Sequence, residues 1–135
     1  MKKSSAAYLS QLRKKISVKM DRLKQLYLWS CSSEVLFHGQ PGSVFRKCGK
    51  VNCRCTAGGD QRHGPYQIIR IFREGKSTQI TLKNDERHFF DMAKRHQQQV
   101  RNRREIISIQ SELLSLFEDL MEGRTIWSKE EYEKE

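Results

Sequence analysis

Three cysteines and one histidine lie close together in the sequence and have the side chains that zinc prefers. The spacing C-x4-C-x-C-x7-H relates Cys48, Cys53, Cys55 and His63. A structural zinc ion takes four protein ligands in a tetrahedron, and three thiolates with one imidazole make such a set. We therefore expect these four side chains to hold one structural Zn²⁺. Cys31 and His38 remain alternatives to His63 as the fourth ligand, because either could approach from the preceding segment.

The residues around this cluster favour the same interpretation. Glycines allow the positive φ angles that a chain needs when it wraps around an ion, and the segment contains Gly49, Gly58, Gly59 and Gly64. Basic side chains offset the negative charge of three thiolates and lower the pKa of the thiols, and those nearby are Lys47, Lys50, Arg54 and Arg62.

A catalytic zinc fits the sequence poorly. Catalytic sites usually keep one coordination position open for water, and a fourth protein ligand closes it. The zinc deaminase pattern needs His-x-Glu and Pro-Cys-x-x-Cys, and the sequence contains neither. We find no spacing that indicates a Ser-His-Asp set, a phosphate-binding loop or a carboxylate pair. We expect the protein not to be an enzyme and to have no small-molecule substrate.

The charge distribution points to a polyanionic partner. The chain of 135 residues has a formal net charge of +10. Residues 1–82 contain 16 Lys and Arg against 4 Asp and Glu, whereas residues 83–135 contain 10 against 12. Basic charge gathered in this way is typical of nucleic-acid binding. DNA is favoured over RNA because few aromatic side chains are placed to stack on bases.

No export signal or membrane-length apolar run is present, so we expect a cytoplasmic protein without a membrane partner. Thiols stay reduced in that compartment, which favours metal binding over disulfides.

The elements that must position the cysteine cluster follow from periodicity. Apolar residues at steps of three and four predict a helix over residues 5–32. Alternating residues predict strands at Ser43–Lys47, Tyr66–Arg73 and Ser77–Leu82, with a turn at Glu74-Gly75. The expected fold is α+β: a three-stranded antiparallel sheet with a zinc knuckle between its first two strands, flanked by two helices. Four segments are expected. They are an N-terminal amphipathic helix at residues 1–36, the zinc-knuckle β module at 37–83, a long C-terminal helix at 84–123 and an acidic tail at 124–135.

A long second helix is predicted from Asn84, as N-cap, to Met121 or Glu122, with Gly123 ending it. Apolar residues recur every seven positions, at Ala93, Val100, Ile107, Leu114 and Met121. Residues 106–121 are apolar over most of their circumference, so this half must pack on more than one side. We expect an antiparallel coiled-coil-like pair with the N-terminal helix, and a homodimer or another helical partner on the other side. The acidic tail after residue 128 is expected to be frayed.

Basic residues cluster on the predicted β module and continue into the long helix. Arg70 and the polar residues of the third strand are expected to read DNA bases, with the others anchoring phosphates. The candidate nucleic-acid-binding residues are Arg46, Lys47, Lys50, Arg54, Arg62, Arg70, Arg73, Lys76, Arg101 and Arg104. Asn52, Gln61, Gln67 and Gln79 add side chains able to reach bases or phosphates. A protein–protein adaptor with a structural zinc and an RNA-binding factor are the alternatives.

The run Cys48-Gly49, Asn52 to Cys55 and His63-Gly64-Pro65-Tyr66 resembles the C-G-x3-C-x-C…H-G-P-Y motif of a family of small uncharacterised prokaryotic proteins. The resemblance covers about residues 39–100. It implies a metal site at Cys48, Cys53, Cys55 and His63, and a basic, helix-flanked β module often met near mobile genetic elements. It does not imply a function. Gln67-Ile68-Ile69 stands where the family tends to have aromatic residues.

Overall fold

The computed structural model describes residues 5–56 and 61–134 of the chain. Helix α1 spans Ala6–Ser30, strands β1, β2 and β3 span Gln40–Arg46, His63–Arg73 and Lys76–Thr81, helix α2 spans Arg87–Arg124, and a short helix α3 spans Lys129–Glu133. Single 3₁₀ turns lie at Arg54–Thr56 and Asn84–Glu86. The predicted α+β fold with its three-stranded sheet, N-terminal helix and long C-terminal helix is confirmed.

The chain forms two compact units. The helical unit contains residues 5–32 and 102–134, and the sheet unit contains the described residues between 33 and 101. Within the described residues, no helix combines the length and the apolar character needed to cross a membrane.

In the helical unit, α1 and α2 each bury one narrow stripe. The Ser5 hydroxyl accepts a hydrogen bond from the Tyr8 N–H and caps the start of α1. Both stripes alternate steps of three and four residues, which is the pattern of two helices packed along a seam. The positions of these stripes are Leu9, Leu12, Ile16, Lys19, Leu23, Leu26 and Ser30 in α1, and Asn102, Ile106, Ile109, Leu113, Leu116, Leu120 and Gly123 in α2; Arg22 and Glu105 are half-buried beside them.

Polar contacts flank this seam. The Arg22 guanidinium donates two hydrogen bonds to the Glu105 carboxylate, at 2.8 and 3.1 Å. Lys19, earlier in α1, contacts Glu112, which comes later in α2. The earlier residue of α1 thus contacts the later residue of α2, so the two helices run antiparallel.

The sheet has the order β1-β2-β3, and both neighbouring pairs are antiparallel. Glu74 and Gly75 form the β2–β3 turn, with φ angles of 52° and 74°, as predicted. Alternation along the strands separates two faces. On one, Gln67 and Ile71 are half-buried and Ile69 is fully buried. We call the other the open sheet face, because most of its side chains are exposed; its fully buried residue is Ile68. The residues of this face are Gln40, Gly42 and Val44 of β1, Tyr66, Ile68, Arg70 and Phe72 of β2, and Ser77, Gln79 and Thr81 of β3.

The segment before β1 packs on the start of α2. The Phe37 N–H donates to the carbonyl of Met92 at 3.2 Å, and the Phe37 ring meets Phe89 edge to face at 5.4 Å. Ala93, on the next turn of α2, is fully buried. Gly39 lies so close to β2 that a Cβ there would come within 2.3 Å of Ile69 Cγ2. The core of the sheet unit thus joins β2 to the first turns of α2 through residues 37–39.

The ends of the long helix differ from the prediction. Asn84 is not its N-cap, because residues 84–86 form a 3₁₀ turn and α2 begins at Arg87. The Glu86 carboxylate instead accepts the Lys83 N–H at 3.0 Å. At the other end, Gly123 is buried within the last turn, and the helix continues to Arg124.

The acidic tail forms α3 rather than a frayed end. The Ser128 hydroxyl accepts the Glu131 N–H at 3.3 Å, and the Glu131 carboxylate accepts the Trp127 N–H at 2.9 Å. In these two hydrogen bonds Glu131 donates its N–H to Ser128 and accepts the N–H of Trp127, and together they cap the N-terminal end of α3. Glu135, the last residue of the predicted tail, lies outside the described residues.

Candidate metal centre

The three cysteines and the histidine converge between β1 and β2. The ligand atoms of Cys48, Cys53, Cys55 and His63 all lie within 4.8 Å of one another. Cys48 Sγ is 3.4 Å from Cys55 Sγ, and Cys53 Sγ is 3.0 Å from His63 Nε2. Bonds of about 2.3 Å from zinc to sulfur and about 2.0 Å to nitrogen place tetrahedral ligand atoms roughly 3.5–3.8 Å apart. The four side chains therefore fit around one metal ion with small adjustments.

Short local hydrogen bonds shape the cysteine loop. The Cys53 N–H donates to the Lys50 carbonyl at 3.2 Å, and the Thr56 N–H donates to the Cys53 carbonyl at 3.0 Å. The Thr56 hydroxyl donates to the same Cys53 carbonyl at 2.7 Å. Gly49 has a φ of 79°, a left-handed conformation that glycine adopts without a steric penalty. These two consecutive turns bring three thiols to one side of the loop.

His63 reaches the same point from the sheet. It is the first residue of β2 and pairs with Arg46 of β1 across a register shift. Gly64 follows with a φ of 136°, and a Cβ there would lie 2.8 Å from the Val44 carbonyl oxygen. Because His63 lies on a paired strand, a metal ion held here would tie the cysteine loop to the sheet.

Each of the three sulfur atoms accepts a main-chain N–H. The Cys48 N–H points to Cys55 Sγ at 3.4 Å. The Lys50 N–H donates to the Cys48 sulfur, and the Cys55 N–H donates to the Cys53 sulfur. Donors directed at sulfur favour the thiolate, which is the form that binds metals.

The thiol pKa values follow from these contacts. The Cys55 N–H, then the side chains of Cys48, Cys55 and His63, lower the pKa of Cys53 to about 6. The Lys50 N–H lowers the pKa of Cys48, but hydrogen bonds with the Cys55 and Cys53 thiols, loss of water and the charge of Cys53 together outweigh it, so the pKa of Cys48 is raised. The cluster thus has one thiol whose pKa is lowered beside one whose pKa is raised.

The centre lies at the surface of the sheet unit. Cys55 is fully buried, Cys53 and His63 are half-buried, and Cys48 is exposed. Four protein donors complete a tetrahedral shell and leave no coordination position for water or substrate. This donor set suits a structural ion.

Neither alternative fourth ligand belongs to the group. His38 Nε2 lies 3.2 Å from the Phe72 carbonyl, near the end of β2 opposite to His63. Nine residues of strand separate the two ends by roughly 30 Å. Cys31 caps the end of α1. Of the glycines predicted to adopt positive φ, Gly49 and Gly64 do so, while Gly58 and Gly59 lie outside the described residues.

All ten predicted nucleic-acid-binding residues are exposed. Five surround the metal centre in sequence and in the fold, namely Arg46, Lys47, Lys50, Arg54 and Arg62. Arg70 lies in the middle of the open sheet face, and Arg73 and Lys76 flank the β2–β3 turn. Arg101 belongs to the sheet unit and Arg104 to the helical unit.

Strand register adds Gln40 to the polar side chains that could reach bases and removes Gln67 from them. Gln40 pairs with Arg70, which pairs with Gln79, so the three side chains form a row across the open sheet face. Sequence reasoning missed Gln40 by placing it in a loop, because Pro41-Gly42 directly after it is a turn signal and residues 40–44 show no polar–apolar alternation. Gln67, expected to reach bases, points to the covered face, where its Oε1 atom is buried and has no hydrogen-bond partner among the described residues.

No curated protein and no solved structure was found to match this chain. The sequence model of one family, described as Domain of unknown function (DUF6788), matches residues 9–88. This stretch includes most of α1, all three strands and the four candidate ligands, and it ends as α2 begins. It therefore extends about thirty residues further toward the N-terminus than the resemblance seen in the motif. The match covers more than half of the sequence, and the chain belongs to the DUF6788 family.

Proposed function

We propose that the protein is a zinc-stabilised DNA-binding accessory or regulatory factor whose open sheet face enters the major groove. The observation that carries the proposal is the row Gln40–Arg70–Gln79 across the three strands. Arginine pairs with guanine and glutamine with adenine through two hydrogen bonds each at the major-groove edge. The row therefore presents a set of side chains suited to reading bases.

The dimensions of the row agree with those of the groove. Neighbouring strands lie about 4.8 Å apart, so three strands span roughly 10 Å from Gln40 to Gln79. The major groove is about 12 Å wide and admits β-strands. The open sheet face carries no acidic residue, and Ser77 and Thr81 add hydroxyl groups on the same side.

The metal centre supports this surface at the other end of β2. Zinc suits the donor set of three thiolates and one imidazole, and the basic residues beside it offset the thiolate charge. Arg46, Lys50 and Arg54 are exposed there and would contact phosphates beside the groove. Arg73 and Lys76 would do so at the β2–β3 turn, and Arg101 and Arg104 along α2. Such contacts set the position of the protein on the duplex while base contacts set specificity.

A non-catalytic role accompanies this proposal. A metal ion closed off by four side chains supplies no site for a reacting water. The protein would mark, bend or protect a DNA site for other machinery, and the resemblance to proteins found near mobile genetic elements suggests that setting.

The test is a binding titration with labelled 20-base-pair duplexes of mixed sequence, followed by fluorescence anisotropy at several salt concentrations. We expect zinc-loaded protein to bind in the micromolar range or tighter, with log K falling linearly as log salt rises. Replacing Arg70 by alanine should weaken binding about 10- to 100-fold. Arg13→Ala removes the same charge from α1 and serves as the control, with less than about a twofold effect.

Three outcomes would contradict the proposal. The first is absence of binding at low salt, which would favour the protein–protein adaptor. The second is equal loss of affinity in the Arg70 and Arg13 variants, because the open sheet face would then have no special role. The third is tighter binding to RNA of the same sequence than to DNA, which would favour the RNA-binding alternative.

A further inference from the structure

One side of the helical unit is apolar and exposed. Its large side chains are between 43% and 60% exposed, and they are Met20 and Tyr27 of α1 and Ile107, Leu114, Phe117 and Met121 of α2. Gln110 donates a hydrogen bond to the Tyr27 hydroxyl, which places both helices on this side. Ile107, Leu114 and Met121 recur every seven residues and follow a continuous stripe on α2. We call these six residues the apolar helix face.

The opposite flank of the helix pair has a different character. Arg22 and Glu105 form a two-bond ion pair there, and Lys19 pairs with Glu112. Its charges thus find partners within the chain. Within the part of the chain that the structure describes, the six side chains of the apolar helix face stay about half exposed, and exposed apolar stripes of this kind mark interaction sites.

We propose that a second copy of the chain covers the apolar helix face, with the two α2 helices antiparallel about a twofold axis near Gln110 and Ser111. In this register Ile107 of each copy lies opposite Leu114 of the other. Two helix pairs joined in this way form a four-helix arrangement with a closed apolar core. The contact is self-complementary, as twofold symmetry requires.

The charged residues at the two ends of the apolar stripe of α2 favour antiparallel over parallel packing of the two copies. Arg103 and Arg104 precede it, and Glu118, Asp119 and Glu122 lie toward its other end; all five are exposed. Antiparallel copies bring Arg103 of one chain opposite Glu118 of the other. A parallel pair would instead place arginines beside arginines and acids beside acids, which is unfavourable. Ser108, Ser111 and Ser115 lie between the apolar positions, and their small side chains allow a second helix to approach.

The experiment is sedimentation equilibrium of the zinc-loaded full chain between about 1 and 100 µM, a range that resolves micromolar dissociation constants. A dimer of the 16.0 kDa chain is the expected species.

Leu114→Glu should raise the dissociation constant at least about tenfold, because it places a charge in a desolvated contact. Val18→Glu changes an exposed apolar residue of α1 outside the face and should leave the dimer intact. Circular dichroism checks that both variants remain helical.

A charge reversal tests the orientation separately. Arg103→Glu should weaken the dimer, and adding Glu118→Arg in the same chain should restore it, since antiparallel copies then regain opposite charges at both ends. A monomer at all concentrations, equal effects of Leu114→Glu and Val18→Glu, or failure of the second reversal to restore association would overturn the proposal. DNA binding is not measured in this experiment, so its result is independent of the proposed function.

Discussion

At the scale of single residues, the metal centre depends on donors with distinct surroundings. Cys55 is fully buried, whereas Cys48 is exposed, yet both sulfur atoms accept a main-chain N–H. The spacing of the four donors predicted the set, and the structure brings all four together. It also places His38 far along β2 from His63, a separation that the sequence did not reveal because it depends on strand pairing.

Replacing Cys53 by serine should abolish tight metal binding. Loss of a partner that only orients a ligand costs about 10- to 100-fold in affinity, and removal of a ligand should cost more. Zinc per chain, measured by a colorimetric chelator after dialysis, should fall from about one to near zero. Cys31→Ser is the matched control, because Cys31 is a free thiol outside the group. A Cys53 variant that keeps one zinc per chain would disprove this ligand assignment.

Gly64 lies so close to β1 that the methyl group of an alanine at this position should clash with it. Its φ is 136°, and a Cβ would lie 2.8 Å from the Val44 carbonyl oxygen. We expect Gly64→Ala to lower the free energy of unfolding by about 1–3 kcal/mol, measured by urea denaturation of zinc-loaded protein. Gly75→Ala is the comparison, since Gly75 has a φ of 74° but open space around it, and it should cost about 1 kcal/mol. Equal costs would show that the close contact with β1 adds nothing.

At the scale of elements, the helices were easier to predict than their ends. The three-and-four periodicity of α1 follows from local sequence, and its buried stripe largely matches it. In α2 the seven-residue repeat named from the sequence is exposed at Ile107, Leu114 and Met121, and the neighbouring stripe is the buried one. The start of α2 shifted to Arg87 because Glu86 caps the Lys83 N–H within a 3₁₀ turn. The end shifted because Gly123, a usual helix stop, is buried and continues the stripe. The burial of Gly123 between α1 and α2 therefore had more influence on where α2 ends than the tendency of glycine to end a helix.

The seam between α1 and α2 predicts unequal roles for two neighbouring leucines. Leu26 is fully buried, whereas Leu28 is 66% exposed. Leu26→Ala should destabilise the chain by about 2–5 kcal/mol, because it removes buried contacts and leaves a cavity. Leu28→Ala, with the same chemical change, should stay within about 0.5 kcal/mol. Thermal unfolding followed by circular dichroism at 222 nm measures both; similar costs would argue against the antiparallel seam.

At the scale of the whole molecule, the two compact units have different sources of stability. The helical unit relies on its apolar stripes and ion pairs, while the loop from Cys48 to Thr56 in the sheet unit is shaped by turn hydrogen bonds, with the Val51 side chain 89% exposed. The free energy of metal binding stabilises the cooperative unit that contains the ligands, which here is the sheet unit. The effect of metal removal should therefore be local.

Chelation of the metal should loosen part of the sheet unit and leave the helical unit unchanged. In hydrogen–deuterium exchange with and without a chelator, we expect faster exchange at residues 46–56 and 61–66, where the ligands lie. Residues 9–30 and 105–120 should show no difference, because their hydrogen bonds belong to helices of the other unit. Loss of protection throughout the chain would show instead that the metal controls folding of both units.

The sequence by itself determined the cluster of three cysteines and the main element types, because each depends on residues close together in the chain, whereas the structure selected His63 over Cys31 and His38 as the fourth member of the group. Cys48 to His63 span sixteen positions, and helical periodicity repeats every seven. Only the tertiary structure decided that Gln40, Arg70 and Gln79 share one row, that Gln67 faces inward, and which stripe of α2 stays exposed. These features require a strand register between residues nine to thirty positions apart and a helix pairing between residues 83 to 93 positions apart, and many such pairings satisfy the same local pattern.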